Sequence, residues 1–204
     1  MSEIALILFD LNGVLYTYDR NARIDHLAVV ANRPADSIKA AIWDSGFEDS
    51  GDAGDLDADA YLRGFATAIG HDLSEAAWVA ALQSAITPIE PSLALLPRVR
   101  VGVGCAVLTN NNLLVQRHFS SLYSAVASLV GNRACVSAEF GVRKPDRQAY
   151  RRCLAQLGVA PEATLFIDDS PANVAGAQAA GLAACHVTQP DQLTAALLNH
   201  RLLA

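Results

Sequence analysis

The chain opens on a continuous apolar run at positions 4–9, and similar short runs recur at 103–108, 134–136, 164–167 and 183–187. Unbroken apolar stretches of this length suit strands buried on both faces, as in parallel sheets. Helical stretches separate the later runs. Positions 146–157 open at Pro145-Asp146 and close at Gly158. Positions 171–180 start at Pro171 and stop before Gly181, a glycine placed to end a helix. Alternating strands and helices predict an open α/β fold with right-handed crossovers.

Positions 16–92 have a different texture. No strand pattern stands out, and helical periodicity covers 23–31, 34–43, 57–69 and 74–86. Positions 46–55 are rich in glycine and aspartate and read as a loop. The acids Glu48, Asp49, Asp52, Asp55, Asp57 and Asp59 read as a solvated face, since a calcium loop would need a closing glutamate. Pro88, Pro91 and Pro97 mark the return to the sheet. The expected organisation is a core made of 1–15 and 93–204, with 16–92 inserted as a helical domain.

Composition narrows the function. A length of 204 residues, 52 % apolar and 18 % charged, excludes a disordered chain. Twenty-one acids against 15 bases, a net charge of −6, argue against nucleic acid or an anionic membrane as partner. No apolar run approaches membrane-spanning length, and no basic leader precedes the first strand. The cysteines (105, 135, 153, 185) form no C-x-x-C pair and read as reduced thiols of a cytoplasmic protein. The histidines show no zinc-ligand spacing. The oligomeric state stays open.

Ligands of open α/β sheets bind beyond the carboxyl ends of the strands. Asp10 follows the first run, Thr109-Asn110 the second, and Asp168-Asp169 the fourth; Lys144 precedes Pro145 at a helix start. Carboxylates from neighbouring strand ends suit a hard cation such as Mg²⁺. A carboxylate there can also attack phosphorus, with a hydroxyl and an ammonium binding the phosphoryl oxygens. Lys144 is one of only two lysines; Lys39 reads as a helix-surface charge.

These motifs resemble the haloacid dehalogenase-like superfamily. FDLNGVLY (9–16), VLTNN (107–111), GVRKPD (141–146) and FIDDSPANVAGAQAAG (166–181) stand in the superfamily's order, with a cap-sized gap after the first. The chain looks most similar to members with a helical cap after the first strand, among them bacterial sugar-phosphate phosphatases and the phosphatase domain of bifunctional epoxide hydrolases. The resemblance implies a Rossmann-like parallel sheet with helices on both faces plus a small helical cap. It implies a Mg²⁺-dependent phosphatase of a small phosphorylated metabolite, a sugar phosphate, working through an aspartyl-phosphate. Asp10 would be the nucleophile. Thr109, the backbone at Asn110, and Lys144 would hold phosphate. Asp10, the Asn12 carbonyl and Asp169 would bind metal, with Asp168 beside them or in an outer shell and Asn173 supporting the loop. Asp168 could equally cap the helix that follows. Trp43 and Phe47 read as cap core, and Trp43 alternatively as a substrate contact.

One position departs from the pattern. Most phosphatases of the superfamily carry an aspartate two residues after the nucleophile, as acid and base. Here it is Asn12, whose amide cannot exchange a proton near neutral pH. The substitution leaves three readings: a phosphatase for a good leaving group, a slow or silent module that binds phosphometabolites or proteins, or a substitution that traps a complex. Dehalogenases of 2-haloacids also lack the aspartate, but they need no metal and do not keep the acidic pair.

Overall fold

The computed structural model describes residues 3–204. Five parallel strands form the central sheet: β1 (Leu6–Phe9), β4 (Gly104–Thr109), β5 (Ala134–Val136), β6 (Thr164–Asp168) and β7 (Ala183–His186). Their order across the sheet is β5-β4-β1-β6-β7. Leu6 pairs with Gly104 on one side and with Thr164 on the other, so β1 is central. Every residue of β1 and β6 is buried, as the apolar runs 6–9 and 165–167 require, and Thr164 and Asp168 at the ends of β6 are buried with them.

Successive side chains leave the sheet on opposite faces. Ile7 and Phe9 join one core, while Leu6 and Leu8 join another. The second core is closed by the helices Arg147–Leu157 and Pro171–Ala180, through Tyr150, Leu154 and Ala177. The first is covered by the chain from Leu113 to Val130 and by the helix Pro190–Asn199, and it runs on without a break into the helical insert. The α/β sheet with helices on both faces is therefore observed.

In the insert, Asp19 caps the helix Arg20–Ala31, Asp57 caps Ala58–Ile69 and Ser74 caps Glu75–Gln83. A short helix Ala35–Lys39 continues as a π-helical turn, Ala40–Asp44. Two expectations need correction. The segment 16–92 does contain strands: β2 (Tyr16–Tyr18) and β3 (Ile86–Pro88) pair antiparallel at its two ends. Three-residue strands are too short to show alternation. And positions 46–55 are no free loop, because Phe47–Asp52 is helical and docks on the sheet domain.

That docking explains the composition. Gly51 lets the chain pass Tyr61 at a distance no Cβ could share, and a Cβ on Gly54 (φ +81°) would strike the Ala138 carbonyl. All six acids of the run have partners or burial. Glu48 pairs with Arg23 at 2.7 Å, Asp49 with Arg143 at 2.7 Å and Asp59 with Arg117 at 2.7 Å. Asp55 accepts from Ser50, Asp57 caps its helix and Asp52 is buried.

Candidate active site

The polar residues that end the buried strands converge at one edge of the sheet. Asp10 continues β1, its N–H donating to the Ile167 carbonyl at 2.8 Å. Thr109 ends β4 and Asp168 ends β6, with Asp169 next. Lys144 arrives from the crossover after β5, through a cis bond to Pro145. Its Nζ lies 2.8 Å from Asp10 Oδ1 and 2.7 Å from Asp168 Oδ2, and all three residues are buried.

Lys144 is held from behind. Its N–H donates to Asn110 Oδ1 at 2.9 Å, and Asn110 Nδ2 donates to its carbonyl at 2.9 Å. The resemblance implies that the Asn110 backbone meets phosphate; what the structure places is its side chain, which clamps the lysine. Thr109 Oγ1 accepts from Asn111 Nδ2 at 2.9 Å, and the Asn111 N–H donates to Ser137 Oγ at 3.1 Å. The VLTNN motif contains Asn111 but assigns it no role, and no motif contains Ser137. Their signal was position alone, directly after β4 and β5.

The two aspartates of the fourth motif separate clearly. Asp168 has no exposure and accepts from Lys144, from the Ser170 N–H at 2.8 Å, and from Asn173 Nδ2 at 3.0 Å on both oxygens. Asn173 thus supports the loop. The helix cap is Ser170, so Asp168 does not take that part. Asp169 is half-buried, and His186 Nε2 donates to its backbone carbonyl at 2.8 Å, a contact the sequence did not suggest. Gly13 (φ +96°) makes room for Asp169, because a Cβ there would collide with its carboxylate.

Asp10, Asp168 and Asp169 each offer a carboxylate oxygen, and these oxygens lie within 4.8 Å of one another. Burial pushes the Asp10 carboxyl up to about 7, with Asp168 adding to the rise and Lys144 opposing it. Burial and the Asp168 charge raise Asp169 as well. Burial would lower Lys144, but the two carboxylates beside it outweigh that and raise it. Three carboxylates facing one ammonium form an all-oxygen donor set suited to a hard divalent cation.

Asn12 lies in the tight turn after β1, and its Oδ1 is buried without a partner. Trp43 sits elsewhere: it is half-buried in the cap, under the guanidinium groups of Arg20 (6.0 Å) and Arg23 (5.5 Å). Phe47 stacks on Tyr61 within the helical segment 16–92. A cleft of about 620 Å³ reaches Asn12, Gly13 and Asp169 from the side of Tyr18, Ile89 and Pro190. A larger cleft, about 860 Å³, opens at the other end of the sheet beside Glu162 and His200, and contains no lysine.

The chain that carries this buried lysine between strand-end aspartates matches a known family. The haloacid dehalogenase-like hydrolase family matches residues 4–181, and the chain belongs to it. Among its relatives, the chain is 26 % identical over 193 residues to the sesquiterpene phosphatase astK of Aspergillus oryzae, covering 89 % of this chain and 88 % of that one. It is 33 % identical over 104 residues to hexitol phosphatase A of Escherichia coli, covering 50 % of this chain and 45 % of that one. The fold matches that of the HAD family enzyme bt-2542 of Bacteroides thetaiotaomicron, solved with magnesium and inorganic phosphate. The TM-score is 0.75 at 23 % identity, over 90 % of this chain and 93 % of that one. No helix among the described residues is long and apolar enough to cross a membrane.

Proposed function

We propose that this protein is a Mg²⁺-dependent phosphomonoesterase of a small phosphorylated metabolite, a sugar phosphate, acting from the cytoplasm through an aspartyl-phosphate. The observation that carries the reading is Lys144 buried between Asp10 and Asp168, with Asp169 completing a three-carboxylate set. Two relatives are phosphatases, and one solved relative holds magnesium and phosphate. Four free cysteines fit a reducing compartment. The division into a core of 1–15 and 93–204 and a cap of 16–92 belongs to the same proposal; the β2–β3 ribbon stands at its boundary.

In this reading an Asp10 carboxylate oxygen attacks phosphorus, and the bond to the leaving oxygen breaks. Lys144 and the Thr109 hydroxyl bind the phosphoryl oxygens as negative charge spreads over them. Water then attacks the same phosphorus, releases phosphate and restores the Asp10 carboxylate. Asp10, Asp169 and the Asn12 carbonyl would hold Mg²⁺, with Asp168 behind them tying Lys144 and Asn173 in place. The cation would neutralise phosphate and carboxylate charge. Asn12 cannot protonate the leaving oxygen, which favours a substrate whose leaving group departs unaided, such as an anomeric phosphate.

Phosphate release from a panel of phosphorylated metabolites with Mg²⁺ tests this. Activity is expected in the protein and absent from Asp10→Asn. If nothing is hydrolysed until Asn12→Asp is introduced, the native activity does not exist and the silent module is favoured. Halide release from 2-haloacids that survives a chelator would mark a dehalogenase instead.

A further inference from the structure

A chain of hydrogen bonds runs from the helix Phe47–Asp52 to the hydroxyl of Thr109. Ser137 Oγ donates to the Asp52 carbonyl at 2.6 Å and accepts from the Asn111 N–H at 3.1 Å. Asn111 Nδ2 in turn donates to Thr109 Oγ1 at 2.9 Å. The Ala138 N–H returns to the Asn111 carbonyl at 3.2 Å, so the turn after β5 holds the Asn111 backbone on both sides. Ser137 and Thr109, at two of the links, are buried.

The direction of the last bond matters. A hydroxyl carries one proton and two lone pairs. With the Asn111 amide on one lone pair, Thr109 accepts from its neighbour and keeps its own proton for another acceptor. Were the neighbour an acceptor, that proton would be spent inside the protein and only a lone pair would face an anion. A phosphoryl oxygen accepts and cannot donate, so the hydroxyl serves it only when its proton is the free end.

We propose that Asn111 is a positioning residue that turns the Thr109 proton toward a phosphoryl oxygen. Ser137 keeps Asn111 in place by tying it to the helix Phe47–Asp52, so the setting of the hydroxyl depends on the docking of that helix. Asn111 touches no reacting atom and acts through Thr109. A donor already aimed where negative charge develops need not reorganise during the reaction, and that is the advantage Asn111 confers. The proposal rests on the phosphomonoesterase reading, in which Thr109 binds phosphate.

The test is a double-mutant cycle, run with Mg²⁺ on the best substrate of the phosphometabolite panel. Asn111→Ala should lower kcat about tenfold while KM stays within about twofold. In a Thr109→Val background the same substitution should change kcat by less than about twofold, because no hydroxyl remains to be turned. Ser137→Ala should cost about threefold, again only where Thr109 is present. Asn111→Asp keeps the shape if the alanine variant does not fold. It puts an acceptor where the amide nitrogen was and should cost about 100-fold; a loss below about tenfold overturns the proposal. So does an undiminished Asn111→Ala loss in Thr109→Val, the mark of a merely structural role, or no loss with Thr109 in place.

If no substrate is hydrolysed, the phosphatase reading fails and binding decides. The rise in thermal midpoint with inorganic phosphate and Mg²⁺ should then be smaller in Asn111→Ala than in the protein, and equal in Thr109→Val with and without Asn111→Ala. A further drop in the double variant, an equal rise in Asn111→Ala and the protein, or no rise in the protein, overturns the proposal.

Discussion

Two acidic regions of this chain behave in opposite ways. In the cap, the run from Glu48 to Asp59 disperses its charge: each acid has its own cation, its own helix end or hydroxyl, or a neutralising burial. At the sheet edge, Asp10, Asp168 and Asp169 crowd together and share one ammonium. Cap acids fasten one element to another and leave no room for a ligand charge. The sheet-edge acids retain a surplus of negative charge that a cation can relieve. Similar residues thus serve attachment in one place and chemistry in the other, and the number of cations within reach makes the difference.

The contrast breaks most sharply at Lys144. Lys144→Met should lower kcat/KM about 10³-fold, since the ammonium is aimed at charge that develops on phosphate. Steady-state kinetics on the best substrate would check this, and a loss under tenfold would count against the site. In the cap, Glu48→Gln leaves the Arg23 guanidinium buried without its counter-charge. That should cost about 3 kcal/mol, read from urea unfolding. A change below about 0.5 kcal/mol, within the range of ordinary surface substitutions, would show that the pair is no attachment.

The smallest effect concerns pH. Glu75 of the cap meets His118 and Arg117 of the sheet domain, with Arg117 Nη1 2.9 Å away. The His118 hydrogen bond, helped by Arg117, holds its carboxyl below the ordinary value of 4.5 despite some opposing burial. A lowered folded value means the contact contributes fully above 4.5 and is lost as pH falls through the lower value. The group is near the surface, so the effect should be slight and fade with salt. Thermal midpoints of the protein and Glu75→Gln should therefore differ above pH 4.5 and converge as the pH falls through the lowered value.

Much of the fold was legible because its signals are local. The run at 134–136 became β5, and positions 171–180 became a helix stopped by Gly181 in the left-handed region. Asp10, Thr109, Asp168 and Asp169 were legible as strand-end residues, since a polar residue after a buried strand has few other places to go, and Lys144 as one of only two lysines, placed before Pro145 at a helix start. The helix Phe47–Asp52 was not legible. Gly51 and the following Gly54 make sense only against Tyr61 and Ala138, and Glu48 and Asp49 only against Arg23 and Arg143. Nor was Arg23, which no spacing rule distinguishes from a surface arginine of an amphipathic helix.

By itself, then, the sequence determined the alternation of buried strands and helices, the residues that leave each strand, and the amide at Asn12. Those follow from neighbours a few positions apart, through periodicity and side-chain chemistry. Only the tertiary structure decided that Lys144 bridges Asp10, 134 positions away, and Asp168. It alone separated a saturated Asp168 from a more open Asp169, and buried Arg23 beside Glu48 and the Trp78 ring. Burial and hydrogen-bond pairing are properties of who arrives beside whom, and chain folding brings those partners from distant positions.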